Sequence, residues 1–407
     1  MKDLWNKFRD ITPIVFIISV AFLLPMHKHI IQVFLIIWGV FSLFTYRWGK
    51  YIRHINRSFF PVVALILMYF LSITALLLFT ENTDAGLFKL EVKLSFVIFP
   101  LLLLPLVLFT SRQVRYLLLA FVAGCFLSDL ICLGNAIYNY AEIGASAFYY
   151  TSLSLFHHTS YFAMYHAFAI VILFFDYFYY SGRKLKLVYS GLILFLSVFV
   201  FLLSSKAGLI VLMIEFLALG FIILTDKFSF SKLLGVVAIV TLCGALLAGN
   251  YRVVSTTHQL VTKAPPSAAP KDSAESTQAR ILVWNASVKV ISENWLYGTS
   301  PGDASDKLVQ KYHQLGFSQA ELKKLNCHNQ YLEVLISLGV IGFIIFISIF
   351  IIPVSMYGFT RNLPLIFLLG ITGINFLFES MLETQSGIIF FSFFYTTFIY
   401  TFKNKQK

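Results

Sequence analysis

Runs of about twenty predominantly apolar residues recur along the chain, the length a helix needs to cross the hydrocarbon core of a bilayer. Composition argues against a soluble alternative. Of the 407 residues, 58% are hydrophobic and only 12% charged, and the mean hydropathy is +0.81. A soluble domain carries roughly 25% charged residues, and about half that share leaves too little polar surface to coat a globule of this size.

Twelve spans are predicted: 11–25, 30–46, 59–80, 94–110, 116–138, 159–180, 187–204, 207–225, 233–250, 331–354, 363–380 and 385–402. The expected fold class is all-α, a polytopic membrane protein of about twelve transmembrane helices. Its three regions are 1–250 with the first nine spans, 251–330 as a large external loop, and 331–407 with the last three spans and an internal tail. No internal repeat is visible. Met1 to Asp10 is polar and no small-residue cleavage site follows the first apolar run, so no cleaved leader is expected.

Charge supplies the orientation. A net charge of +12 could suggest a nucleic-acid partner, but the cations sit in short clusters between apolar runs, as the positive-inside rule requires. With the N-terminus inside, eighteen of the 31 Lys and Arg fall in inside segments, and the short outside loops hold only Lys28, Lys89, Lys93 and Lys206. The rest lie in 251–330, which is long enough to escape the rule. Both termini are therefore expected inside. A lipid bilayer, not nucleic acid, is the expected environment. Cys125, Cys132 and Cys243 fall in apolar runs and Cys327 in a polar segment; no CxxC pair suggests zinc or a disulfide framework.

The loop has two parts. Thr256 to Gln278 is rich in Ser, Thr, Ala and Pro and reads as a stretch without a core of its own. Arg280 to Trp295 places Ile281, Trp284, Val288 and Ile291 at helical spacing, which predicts an amphipathic helix. A turn follows at Gly298 and Ser300-Pro301-Gly302-Asp303, where Asp303 or Ser305 could cap a second helix running to about Leu315. The loop is expected to lie over the membrane rim.

Four features could carry chemistry. Lys206, in Ser204-Ser205-Lys206-Ala207-Gly208, sits between two apolar runs. A cation in hydrocarbon costs ~3 kcal/mol or more, so it is paired, functional, or at an edge where it can snorkel to water. Arg280 opens the loop helix, either as a solvated cation or as a planar fork for phosphate. His328 stands with Asn329 at the mouth of the tenth span, as an interfacial residue or a general base. Glu333 lies deeper on that span, where a carboxylate needs a polar neighbour. His157, His158, Ser160 and Tyr161 open the sixth span, as interface anchors or as part of a lining. The inferred topology places Lys206, Arg280 and His328 on one outer side. Two cations beside a base suit displacement of a polyisoprenyl diphosphate by a sugar hydroxyl: the cations stabilise the leaving diphosphate and the base takes the proton. No DxD-like acidic pair appears outside to hold a metal-bound nucleotide sugar. The internal acids Asp129, Asp176, Glu215 and Glu379 are what would suit a transporter instead.

At these residues the sequence resembles the O-antigen ligase and polymerase superfamily. The resemblance rests on Arg280-Ile-Leu-Val-Trp284, Asn294-Trp-Leu-Tyr-Gly298 with Ser300-Pro301-Gly302-Asp303, Asn326-Cys327-His328-Asn329-Gln330-Tyr331-Leu332-Glu333, and Gly339-Val-Ile-Gly342. It implies a GT-C-like fold and a metal-independent, inverting glycosyltransferase of the bacterial inner membrane with a periplasmic site and no cofactor. The implied donor is an undecaprenyl-diphosphate-linked glycan. The implied acceptor is lipid A-core or another glycan, with ligase preferred over polymerase or protein O-oligosaccharyltransferase. His328 matches the family's catalytic histidine and Arg280 its loop arginine. Lys206 falls where the family usually has Arg, a departure, because Lys is a point charge without the bidentate fork. Lys206, Arg280, His158, Asn329 and Glu333 are the expected diphosphate and glycan contacts.

Overall fold

The computed structural model describes residues 2–26, 28–180, 182–225, 277–358 and 362–402, with the single positions 241 and 244. The described residues are helical, without strands. Their α-helices are α1 (Lys2–Leu23), α2 (Lys28–Thr45), α3 (Trp48–Arg53), α4 (Phe60–Leu76), α5 (Thr83–Lys93), α6 (Ser95–Leu102), α7 (Ser111–Ile143), α8 (Tyr150–Leu153), α9 (Thr159–Tyr180), α10 (Arg183–Leu202), α11 (Lys206–Thr225), α12 (Thr277–Glu293), α13 (Ala304–Leu315), α14 (Ser318–Leu322), α15 (Gln330–Tyr357), α16 (Leu363–Phe376) and α17 (Gln385–Thr401). Seven helical stretches among the described residues are long and apolar enough to cross a membrane. Shorter apolar helices occupy His29–Thr45 and Leu363–Phe376. The predicted span 233–250, apart from two positions, and the Ser/Thr/Ala/Pro stretch up to residue 276 lie outside the described residues.

The bundle is organised around α9 and α17. From Thr159 to Asp176 every side chain of α9 is buried, as is every one from Gly387 to Tyr400 on α17. A helix apolar on all sides belongs inside a bundle. Their rings interlock: Phe168 packs edge-on against Phe390 and Phe394, and Phe121 of α7 joins the same cluster. The outer helices α2, α4 and α10 turn Phe44, Leu71 and Leu187 outward, as lipid-facing surfaces do.

Helix ends are fixed by side chains that accept the first free amides. Thr110 and Gln113 form a reciprocal capping box at α7, Asn82 caps α5, Asn329 caps α15, and Thr384 caps α17. Several predicted boundaries move, and two of the shifts relocate charged residues. The fourth span begins at Thr83, not at 94, and runs as one stretch to Leu108. This brings Lys89 and Lys93 from an expected outside loop into the helix, where carboxylates meet them. The eleventh stops at Phe376, not 380, because Glu379 belongs to a polar turn, 377–384, that joins α16 to α17.

The loop helices α12, α13 and α14 share a small core of their own with the start of α15, built on Val283, Ala286, Val290, Leu308, Tyr312 and Ile336. The buried face of α12 is therefore displaced from the expected one: Ile281 and Val288 are exposed. The small residues Ala286 and Ser287 allow close helix approach and decide which side packs. Asp303 does not use its side chain to cap α13. Its carboxylate instead accepts the backbone amides of Glu81 and Asn82 at the head of α5 and the Ser300 hydroxyl.

The loop is sewn to the spanning helix by backbone. α15 is broken at Gly339 (φ +61°), and the segment after α12 lies against the break: Thr299 N–H donates to Ile336 O (2.7 Å) and Val340 N–H to Trp295 O (2.8 Å). Gly298 also has positive φ, and a Cβ there would lie 2.6 Å from Gly339 N. Gly339→Ala carries a left-handed penalty of roughly 1–2 kcal/mol, and its Cβ would lie 2.4 Å from Leu296 O. It is expected to lower the melting temperature of the detergent-purified protein by several degrees; an unchanged melting curve would mean that the crossing is not rigid.

Candidate functional site

Antiparallel succession brings the starts of α5, α9, α11, α15 and α17 to one end of the bundle with the ends of α4, α10 and α16. A cleft opens there, lined by Tyr150, His158, Thr159, Ser160, Ser205, Lys206, Ala207, Arg280 and Glu379. Each wall has a local cause. Thr159 and Ser160 begin α9. Ser205 accepts the amide of Gly208 and so starts α11 (3.2 Å), which presents Lys206 at its head. Arg280 is in the first turn of α12, and Glu379 is on the turn after α16.

Glu379 is the centre of the arrangement. Arg280 Nη2 donates to its Oε1 at 2.8 Å, and His328 Nδ1 lies 3.0 Å from its Oε2. The Ser160 hydroxyl adds a longer contact at 3.4 Å. Burial raises the carboxyl's pKa. The His328 hydrogen bond and the charges of Arg280, His328 and His158 outweigh that effect and hold it below the usual glutamate value. An ionised carboxylate can only accept, so His328 donates its Nδ1 proton to Glu379, and in the neutral imidazole that tautomer makes Nε2 the acceptor. Arg280 Nε is buried, with no hydrogen-bond partner among the described residues. A charged donor without an acceptor is costly in an interior, and in a cleft wall it suits an incoming anion.

Backbone strain gathers here as well. Tyr150 (φ +55°), Ser204 (φ +49°) and His328 (φ +44°) all hold left-handed conformations. Such conformations cost of order 1–3 kcal/mol each and concentrate at functional sites.

The residues expected from sequence divide into two groups. Lys206, Arg280 and His158 meet in the cleft, and His328 adjoins it through Glu379. Asn329 and Glu333 do not line it. Asn329 Oδ1 accepts the amides of Tyr331 and Leu332, and its Nδ2 donates to Leu377 O. Glu333 pairs with Lys89 at 2.7 Å. His157 turns to the Ser386 hydroxyl (3.0 Å). Glu379 is the residue that sequence reasoning misplaced, among intramembrane acids. The available signal was the polar run Glu379-Ser380 and Glu383-Thr384 between two apolar stretches.

No curated protein matches the chain. Residues 191–347, however, match the O-antigen ligase family, a segment that contains Lys206, Arg280 and His328. That match, together with the helical membrane fold, supports a relation of the chain to the O-antigen ligase superfamily.

Proposed function

We propose that the protein transfers a glycan from a polyprenyl diphosphate, undecaprenyl diphosphate in bacteria, to a hydroxyl of lipid A-core or a similar glycan acceptor. The observation that carries this reading is the junction of Arg280, Glu379 and His328 at the wall of a cleft that also holds Lys206. His328 Nε2 removes the proton of the acceptor hydroxyl as its oxygen attacks the anomeric carbon. The bond from that carbon to the diphosphate oxygen breaks, and the configuration inverts in the single displacement. Arg280 and Lys206 stabilise the charge developing on the departing diphosphate, without a requirement for metal. Glu379 orients the imidazole and stabilises the imidazolium that forms, as a buried carboxylate does in a serine protease triad.

The charge asymmetry supports an outward-facing site. Arg9, Arg47, Arg53 and Arg115 lie at the opposite end of the bundle, where Arg115 pairs with Asp176 and Arg9 donates to Thr45 O. The positive-inside rule makes that end cytoplasmic and the cleft periplasmic. A cysteine at Lys271 should therefore react with an impermeant maleimide in intact spheroplasts, and one at Lys405 should not. The reverse pattern would invert the topology and remove the chemistry from the face where lipid-linked glycans are presented.

Arg280→Lys is expected to recover only part of the activity lost in Arg280→Ala, because the fork is gone. Lys206→Arg should be tolerated. Full turnover in Lys206→Ala would make that lysine a rim anchor only. Deleting the gene and analysing envelope glycoconjugates separates the acceptors: uncapped lipid A-core with retained lipid-linked polymer indicates a ligase, and shortened polymer indicates a polymerase.

A further inference from the structure

The proposed chemistry leaves unused a second charged cluster directly behind it. Lys93 is 3% exposed. Its Nζ lies 2.6 Å from Glu383 Oε1 and also donates to Leu382 O. Lys89 contacts Glu333 (2.7 Å) and, at 3.9 Å, Glu383. Gln330 closes the cluster, with its Nε2 donating to Glu383 (3.1 Å) and its Oε1 accepting Leu382 N–H (2.7 Å). Burial alone would raise the Glu383 carboxyl's pKa, but Lys93 and Lys89 outweigh it and hold it well below the ordinary range.

Two lysines and two glutamates in an interior are poor evidence for stability as such, since apolar side chains of similar volume often serve as well or better. They do fix relative position, because both ammoniums meet on Glu383 and Lys89 reaches Glu333 as well. The two segments they tie are the two that carry the proposed base and its partner. Cys327 and Glu333 flank His328 on one side of the cluster, and Glu383 is four residues from Glu379 on the other. The far end of the same helix is gripped by the external loop, through Asp303 on the amides of Glu81 and Asn82.

We propose that Lys93 and Lys89 of α5 are positioning residues: Lys93 holds the turn 379–383 to α5 and Lys89 ties that turn to the start of α15, so that Glu379 meets His328 and Arg280. This inference rests on the transfer reading above for its kinetic consequence but not for its geometric one. Lys93→Met, purified in detergent, is therefore read in two ways. The first is kinetic: kcat for glycan transfer should fall about tenfold or more, with KM for the lipid-linked donor within about threefold, because a displaced turn misplaces the base's partner, whereas Lys206 and Arg280 are carried by the separate helices α11 and α12. The second needs no activity: His328 should react with diethyl pyrocarbonate at least ~3-fold faster than in the wild type, followed at that residue by mass spectrometry, because a loosened carboxylate no longer holds it. Lys93→Arg, which keeps the charge, should restore both readouts substantially. If Lys93→Met does not yield folded protein, Lys89→Met, which keeps the Lys93–Glu383 pair, is read the same way. Wild-type kcat and a wild-type modification rate in the folded variant would overturn the proposal. So would lower activity fully accounted for by fewer folded molecules. A wild-type protein that transfers nothing from a polyprenyl-diphosphate donor, while the modification rate still responds to Lys93, would defeat the functional reading and leave the positioning intact.

Discussion

His328→Ala is expected to lower glycan transfer by about 10²–10⁴-fold, the usual contribution of a positioned general base and equivalent to ~3–5 kcal/mol of barrier. Donor binding and membrane insertion should change little. The imidazole is at the edge of the cleft with its side chain 17% exposed, and Arg280 and Lys206, which face the diphosphate, remain. The discriminating variant is His328→Gln. Glutamine can still hydrogen-bond, so a histidine that merely orients the acceptor would be replaced within a few-fold. A base would not be, because the amide cannot take the proton. Purified His328→Gln turning over near the wild-type rate would remove His328 from the proton transfer and leave the two cations as the whole of the catalysis.

Glu379→Gln should be nearly as damaging, by about 10²–10³-fold, although Glu379 reaches the reaction only through its neighbours. The amide can present a donor where the carboxylate presented an acceptor. That favours the imidazole tautomer with its proton on Nε2, the wrong form for a base; the comparable change in a serine protease triad costs about 10⁴. Because Glu379 and His328 act as one unit, the double variant should be scarcely worse than the worse single one. Multiplicative losses would show that the two act independently and that the 3.0 Å contact is incidental to the chemistry. The same carboxylate gives a pH signature. Its native pKa is depressed, so its pairing stabilises the protein above the ordinary glutamate value of about 4.3, and that stabilisation is lost as pH falls through the lower native value. The melting temperature of Glu379→Gln should therefore lie below that of the wild type at pH 7, and the gap should narrow as acid protonates the wild-type carboxyl. A gap that widens toward low pH would contradict this assignment.

How much of this was legible from the residues depends on the range of the signal. A spanning helix is a local property: about twenty apolar side chains in succession cannot be left in water. Helical spacing from Arg280 onward and the Ser300–Asp303 turn gave α12 and the turn before α13 in the same way. Lys206 and His328 stood out because a polar residue at the edge of an apolar run needs a reason, and Arg280 because it opens the amphipathic helix of the loop. Pairing is not a local property. Glu379 looked like one intramembrane acid among four, and its role follows from Arg280, 99 residues earlier, and His328, 51 residues earlier. Lys89 and Lys93 looked like short-loop cations because their counter-charges, Glu333 and Glu383, lie more than two hundred residues away. Asp303 looked like a cap for its own helix and serves the head of α5 instead. Apolar periodicity along the chain determined that the protein is a bundle of membrane helices with a polar rim. Which charges answer one another at that rim was decided by which helices pack side by side, because electrostatic and hydrogen-bond energies depend on distance in space and not on distance along the chain.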